Sequence, residues 1–232
     1  MLVIFDLDGT LLNTLDDLAA CGNHLLASHG YPIHPTEAYQ HFVGNGIRKL
    51  VERILPEKER TSRNIDAFFP EFLAYYDQHK MDLTRPYPGM TELLESLQAS
   101  HISMAVATNK VHSAVAPLMR HFFPTIRFAA AIGNQPGIPT KPEPDIIYQI
   151  LRETGQTASE TIYVGDTAVD METAARAGLL KVGVLWGFRG IDELTESGAD
   201  YIVENPIDIL RLPFFTENGI SSRSVANGNI SL

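Results

Sequence analysis

The chain has 232 residues, enough for one α/β domain with a small insertion, and its 44% apolar content excludes a disordered protein. With 18 basic and 28 acidic residues the net charge is -10, and because no Lys/Arg-rich run occurs, we expect no nucleic-acid partner. No stretch approaches the roughly 20 apolar residues that span a bilayer, so no membrane partner is expected either. The single cysteine, Cys21, excludes a disulfide framework and fits a reducing, cytoplasmic location.

The amino-terminal run Leu2-Val3-Ile4-Phe5 predicts a short strand buried on both faces, as in a parallel sheet. It leads into Asp6 and Asp8, whose spacing in an extended chain places both carboxylates on one side. Two carboxylates this close raise each other's pKa unless a cation lies between them. Mg2+, which prefers oxygen ligands, is the expected cation.

The next part of the chain has helical periodicity and no strand-like run. We assign residues 14–85 to an inserted all-helical cap domain, with helices expected near 15–26, 35–42, 47–55 and 65–76. Residues 1–13 and 86–212 are assigned to an α/β core domain. The tail, residues 213–232, is rich in Ser, Asn and Gly, and we expect it to be loose.

From Gly89 onward helices and strands alternate, and this alternation predicts an α/β fold with a doubly wound parallel sheet. The expected strands are 102–107, 128–132, 161–165, 181–186 and 201–203. The expected helices are 91–98, 113–123, 145–153, 168–177 and 191–197.

Polar residues follow the ends of three predicted strands: Asp6 with Asp8, Thr108 with Asn109, and Asp166. Ligands of open parallel sheets bind outside the carboxyl ends of the strands, so we expect these distant residues to lie close together.

Two further charged residues are candidates for the same site. Asp170 lies one helical turn beyond Asp166 and can face the same side. A cluster of four aspartates needs cations, and Lys141, held between Thr140 and Pro142, can supply one of them.

These segments together resemble the four ordered motifs of the haloacid dehalogenase superfamily. The matching motifs are Asp6-x-Asp8-Gly9-Thr10, Thr108, Lys141-Pro142 and Gly165-Asp166-x-x-x-Asp170. The helical insertion after the first motif resembles the small helical cap of that family. Within the superfamily, Val43-Gly44-Asn45-Gly46 and Ala107-Thr108-Asn109-Lys110 resemble the phosphoglycolate phosphatases, and the resemblance covers about residues 1–210.

The resemblance implies a role for each acid of the first motif. Asp6 would be the nucleophile that forms an aspartyl-phosphate, and Asp8 would protonate the leaving alkoxide and then deprotonate the attacking water. Mg2+ would bind to Asp6, to the backbone carbonyl of Asp8 and to Asp166. Because expulsion of a halide needs no proton donor, the presence of Asp8 favours a phosphatase over a dehalogenase.

The resemblance also assigns the remaining motif residues. Thr108 and the N–H group of Asn109 would hold phosphoryl oxygens, and Lys141 would neutralise both Asp6 and the phosphate. Asp170 would orient Lys141 or a metal-bound water.

Substrate selection is assigned to the cap. The flexible Gly44-Asn45-Gly46 turn can fold over the mouth of the site, and Arg48, one turn into the next helix, would bind a second anionic group of the substrate. A carboxylate such as that of glycolate suits a guanidinium, so 2-phosphoglycolate is the leading substrate among small phosphorylated metabolites.

Several alternatives stay open. They are a sugar-phosphate phosphatase, a β-phosphoglucomutase-like phosphotransferase, a pyrophosphatase, and a phosphonate hydrolase that would use Lys49 as a Schiff base. From another class, a non-catalytic phosphate-binding protein is also considered. The sequence does not choose between a monomer and a homodimer.

Overall fold

The computed structural model describes residues 1–215, which form a six-stranded sheet, a two-stranded ribbon and nine α-helices. The strands are β1 (Leu2–Phe5), β2 (Leu12–Asn13), β3 (Arg85–Pro86), β4 (Ser103–Val111), β5 (Ala130–Asn134), β6 (Thr161–Gly165), β7 (Leu180–Val184) and β8 (Tyr201–Val203). The helices are α1 (Leu15–Ser28), α2 (Tyr39–Phe42), α3 (Ile47–Ile54), α4 (Ser62–His79), α5 (Met90–Ala99), α6 (His112–Phe122), α7 (Asp145–Thr154), α8 (Ala168–Arg176) and α9 (Ile191–Glu196).

The sheet is parallel throughout, with the strand order β5-β4-β1-β6-β7-β8. The first strand of the chain therefore lies between β4 and β6, and the strand order reverses on its two sides. Such a reversal separates the loops at the carboxyl ends of the strands and leaves a crevice there. The predicted doubly wound parallel sheet is confirmed.

Alternate residues of β1 pack on opposite faces of the sheet, as the apolar run predicts. Val3 and Phe5 belong to a core that includes residues of α5 and α6, whereas Leu2 and Ile4 belong to a second core that includes residues of α7. All four side chains are fully buried.

The segment between β2 and β3 contains α1 to α4, as expected, and the two strands pair antiparallel where the chain leaves the sheet and returns. The helix expected at 35–42 is interrupted: a 3-10 turn over Thr36–Ala38 precedes α2. The helix expected at 65–76 is longer, because Thr61 caps its beginning through a hydrogen bond from the Asn64 N–H. The division of the chain into core and cap remains a prediction.

One set of hydrogen bonds joins the two ends of the helical segment to each other, and a second set joins the middle of the segment to the loop after β7. The buried carboxylate of Asp17 on α1 accepts hydrogen bonds from the backbone N–H groups of Leu83 and Thr84 at 2.8 and 2.9 Å. Arg189, in the loop after β7, donates to the backbone carbonyls of Gln40 and Val43. The Arg189 contacts therefore hold the segment beside the loop that follows the carboxyl end of β7.

The main difference from the expected elements concerns β4, which was predicted to end at residue 107 but continues to Val111. Its pairing with β5 is irregular between Ala107 and Val111, so the polar residues of this segment belong to an extended strand and not to a helix start. The tail expected to be loose lies outside the described residues from position 216 onward. In residues 1–215 no helix combines the length and apolar character that crossing a membrane requires.

Candidate active site

Asp6 and Asp8 directly follow β1 and lie at the crevice. The Asp6 N–H group continues the ladder by donating to the Val164 carbonyl at 2.9 Å, which fixes the backbone at the end of the strand. Gly9 then adopts φ +87°, and a Cβ atom at this position would overlap the Asp166 carboxylate. The turn therefore requires glycine both for its conformation and for the close approach of Asp166.

Lys141 lies between two of the aspartates. Its Nζ atom is 2.9 Å from Asp6 Oδ1 and 2.7 Å from Asp170 Oδ1, and it also donates to the Tyr163 hydroxyl at 2.9 Å. Burial disfavours the charged ammonium, but the negative charges of Asp170 and Asp6 outweigh it and hold the pKa of Lys141 well above its usual value. This lysine is therefore a fixed positive charge beside Asp6.

Asp166 is fully buried at the end of β6, and each of its oxygens has a partner. Thr10 Oγ1 donates to Oδ1 at 3.1 Å, and the Phe188 N–H group donates to Oδ2 at 2.8 Å. Burial, followed by the neighbouring charges of Asp170 and Asp6, nevertheless raises the pKa of Asp166 well above its usual value. Burial likewise raises the pKa of Asp6, to about 7, although Lys141 opposes the shift.

The aspartate cluster fits a metal ion. Asp6, Asp166 and Asp170 each offer one carboxylate oxygen, and these oxygens lie within 4.8 Å of one another. The raised pKa values of Asp6 and Asp166 fit negative charges that Lys141 compensates only in part, and a divalent cation would complete the compensation.

Asp170 accepts four hydrogen bonds, which is more than either of the other two acids accepts. Its Oδ1 accepts from Lys141 and Tyr163, and its Oδ2 accepts from the N–H and hydroxyl groups of Thr167 at 3.1 and 2.8 Å. The expected contact with Lys141 is thus present. The expectation that Asp170 orients Lys141 or a metal-bound water stays a prediction.

The polar residues of β4 lie beside the β1 aspartates. Thr108 is buried, and its Oγ1 accepts a hydrogen bond from the Lys110 N–H group at 3.2 Å. The Asn109 side chain accepts from the Lys141 N–H group at 2.9 Å and donates to the carbonyls of Lys141 and Gly44 at 3.1 and 3.0 Å. Asn109 therefore ties the lysine loop and the glycine turn of the helical segment to the sheet.

A pocket opens between the strand ends and the helical segment. The sheet side contributes Asp6, Asp8, Thr108, Asn109 and Lys110. The helical side contributes Leu18, Val43, Gly44, Gly46, Ile47 and Leu50. Charged and polar groups thus line one wall, and the other wall consists of apolar side chains and glycine backbone.

Arg48 does not line this pocket, contrary to what its predicted role requires. Its guanidinium bonds to Asp66 Oδ1 on α4 at 2.5 Å, and its side chain is 53% exposed. Ile47 and Leu50, three positions apart, present one face of α3 to the pocket, and Arg48 points away because adjacent helical residues do not share a face. Lys49 pairs with Glu52 at 2.7 Å on the exposed side of the same helix and does not line the pocket either.

Two residues of the site had no assigned role in the sequence analysis. Lys110 is buried with its Nζ 2.7 Å from Asp8 Oδ1, and the hydroxyl of Tyr163 donates to the Ala107 carbonyl and contacts Lys141. The sequence offered one signal for Lys110, because this charged residue directly follows the two site candidates Thr108 and Asn109. Tyr163 lies within the apolar run of β6, where an aromatic residue has no distinguishing signal.

A parallel sheet with acids at the carboxyl ends of its strands, a buried lysine and a covering helical segment defines a hydrolase of the phosphoryl-transfer type. The model of the haloacid dehalogenase-like hydrolase family matches residues 3–184, and the chain therefore belongs to this family.

Individual relatives agree with this assignment. Phosphoglycolate phosphatase of Mannheimia succiniciproducens is 32% identical over 217 residues, covering 91% of this chain and 97% of the relative. The enzyme of the same name from Agrobacterium fabrum is 32% identical over 206 residues, covering 88% of each chain. A crystal structure of a predicted phosphoglycolate phosphatase from Haemophilus somnus 129pt superimposes with a TM-score of 0.82 at 30% identity, covering 91% of this chain and 96% of that one.

Proposed function

We propose that this protein is a Mg2+-dependent phosphatase that hydrolyses small phosphate monoesters through an aspartyl-phosphate on Asp6, with 2-phosphoglycolate as the leading substrate. The observation that carries the proposal is the contact of the buried Lys141 with both Asp6 and Asp170, beside Asp166. The names of the relatives support the substrate.

The carboxylates of Asp6 and Asp166 and the backbone carbonyl of Asp8 are the groups that would hold Mg2+. When bound, the ion would compensate the acids and stabilise negative charge on the transferring phosphoryl group. Thr108, the N–H group of Asn109 and Lys141 would hold the phosphoryl oxygens from the sheet side.

Two displacements at phosphorus complete the reaction. A carboxylate oxygen of Asp6 attacks phosphorus, the bond to the ester oxygen breaks with its electron pair, and that oxygen takes a proton from Asp8. Water then attacks the phosphorus of the aspartyl-phosphate, Asp8 accepts the proton of the water, and inorganic phosphate leaves with Asp6 restored.

The composition of the pocket favours a small substrate. Its helical wall consists of Leu18, Val43, Ile47, Leu50 and two glycines. The hydroxyl groups of a hexose phosphate would find no polar side chain on this wall, and burying them without partners is costly. This argues against the sugar-phosphate phosphatase and the mutase-like alternatives. The same wall offers no partner to the carboxylate of 2-phosphoglycolate, so the choice of that substrate rests on the names of the relatives.

Phosphate release from a set of substrates tests the proposal. With Mg2+ present, we expect the highest kcat/KM for 2-phosphoglycolate, lower values for glucose 1-phosphate and pyrophosphate, and a loss of at least about three orders of magnitude in kcat for Asp6→Asn. Wild-type protein that is quenched with acid during turnover of 2-phosphoglycolate should carry one additional phosphoryl group. Asp6→Asn treated in the same way should carry none. Asp6→Asn with wild-type activity would refute the nucleophile, and binding of phosphate without turnover would favour the non-catalytic alternative.

A further inference from the structure

Lys110 is a buried cation that contacts the proposed proton donor. It lies near the end of β4, and its side chain is 0% exposed. Its Nζ lies 2.7 Å from Asp8 Oδ1, whereas Asp8 retains 14% exposure and lines the pocket. Among the hydrogen bonds of residues 1–215, none involves the second oxygen, Asp8 Oδ2. One oxygen of the carboxyl group is therefore held, and the other is left to carry the transferred proton.

An aromatic ring from the helical segment covers this ammonium group. The Nζ atom of Lys110 lies 4.8 Å from the centroid of the Tyr76 ring, and Tyr76 is only 1% exposed. A cation over the face of a tyrosine ring is attracted to it, and the attraction is stronger where water is excluded. Tyr76 belongs to α4, so the cation that holds Asp8 contacts both the sheet and the helical segment.

We propose that Lys110, packed against the Tyr76 ring, is a positioning residue that fixes the carboxyl group of Asp8 for proton transfer to the leaving oxygen. This inference rests on the proposed function, in which Asp8 is the acid. A carboxyl group tolerates rotation about its terminal bond, and a buried ion pair on one oxygen removes that freedom. Through Tyr76, the geometry of Asp8 depends on the packing of α4 over the sheet.

The dependence of the rate on the leaving group separates positioning from a general structural effect. Proton donation matters for an alkoxide leaving group and does not matter for the acetate that leaves acetyl phosphate. We compare Lys110→Met with wild type on 2-phosphoglycolate, ethyl phosphate and acetyl phosphate, with Mg2+ present, using kcat/KM. This parameter reports the steps up to transfer of the phosphoryl group to Asp6 and excludes the later hydrolysis.

We expect Lys110→Met to lose about 10- to 100-fold in kcat/KM on both alkyl phosphates and less than about threefold on acetyl phosphate. The loss is smaller than the roughly 10²- to 10⁴-fold contribution of a general acid, because Asp8 itself is retained. A similar loss on all three substrates would overturn the inference. A loss confined to 2-phosphoglycolate would also overturn it, because Lys110 would then bind the substrate carboxylate. Wild-type protein inactive on all three would overturn the proposed function and this inference together.

Substitutions on α4 test the contribution of the ring. Tyr76→Leu should show the same leaving-group pattern with a loss of about 3- to 10-fold, and Tyr76→Phe, which keeps the ring, should lose less. Phe68→Leu is the matched control: Phe68 is a buried aromatic residue of α4 that packs on His29 and Tyr31. Phe68→Leu with the pattern of Tyr76→Leu would show that general loosening of α4, and not the ring over Lys110, causes the effect.

Discussion

The ammonium group of Lys141 lies 2.9 Å from Asp6 Oδ1, and both side chains are almost completely buried. The same ammonium lies 2.7 Å from Asp170 Oδ1. One cation thus joins the end of β1 to the start of α8 and compensates two acids that would otherwise repel each other inside the protein.

Removal of this cation should destabilise the protein strongly. We expect Lys141→Met to lower the free energy of unfolding by about 3–5 kcal/mol, because it leaves buried carboxylates without their partner. Urea denaturation at neutral pH measures the loss. The double variant Lys141→Met/Asp170→Asn should recover part of it, and a single variant as stable as wild type would contradict the expectation.

The stability of the metal-free protein should fall as pH rises from about 4 to about 7. The pKa of Asp6 is raised from 3.8 to about 7, so the folded state binds more protons than the unfolded state in this window, and ionisation opposes folding. Thermal unfolding in EDTA should show a lower Tm at pH 8 than at pH 5, and Mg2+ should raise Tm most at pH 8.

Asp6→Asn should reduce this pH dependence and raise Tm at pH 8 in EDTA by a few degrees, since about 1 kcal/mol corresponds to roughly 2–4 °C in a chain of this size. Asp192→Asn, at an exposed position of α9, serves as the control and should leave the profile unchanged. If Asp6→Asn had the same dependence of Tm on pH as wild type, the pH dependence could not be attributed to ionisation of Asp6.

A methyl group at Gly187 should disturb Asp166. A Cβ atom there would overlap Asp166 and the Gly9 carbonyl, whereas a Cβ atom at Gly190, in the same loop, would meet nothing within 4 Å. We expect Gly187→Ala to raise the Mg2+ concentration for half-maximal activity by at least about tenfold, as displacement of groups around a metal ligand does. Gly190→Ala should titrate like wild type, and equal titrations for both variants would exclude the steric explanation.

Arg48→Ala should have little effect, because the Arg48 guanidinium pairs with Asp66 at the surface and lies outside the pocket. The unfolding free energy should fall by less than about 1 kcal/mol, and KM for 2-phosphoglycolate should change less than about twofold. Steady-state kinetics with 2-phosphoglycolate and ethyl phosphate provide the measurement. A tenfold rise in KM for 2-phosphoglycolate, without a rise for ethyl phosphate, would contradict this prediction and show that Arg48 binds the substrate carboxylate.

The sequence by itself determined the sheet and the acids at its edge. The apolar run of β1 is typical of a strand buried on both faces of a parallel sheet, and Asp6 follows its carboxyl end. The alternation of helices and strands predicted that Thr108 and Asp166 lie at the same edge of the sheet. Lys141 became a candidate because the cluster of acids needs a cation, and the motif resemblance then assigned it to Asp6 and the phosphate. Periodicity did not locate it, because a loop residue has no repeating pattern.

Only the tertiary structure decided which side chains of the helical segment face the site. Helical spacing predicts which residues share a face, but the direction of that face depends on how α3 and α4 pack, and this depends on contacts distant in sequence. That packing turns Ile47 toward the pocket and Arg48 toward Asp66, and it places the Tyr76 ring over Lys110. The pair of Lys110 and Asp8 likewise exists only because adjacent strands bring the two residues together.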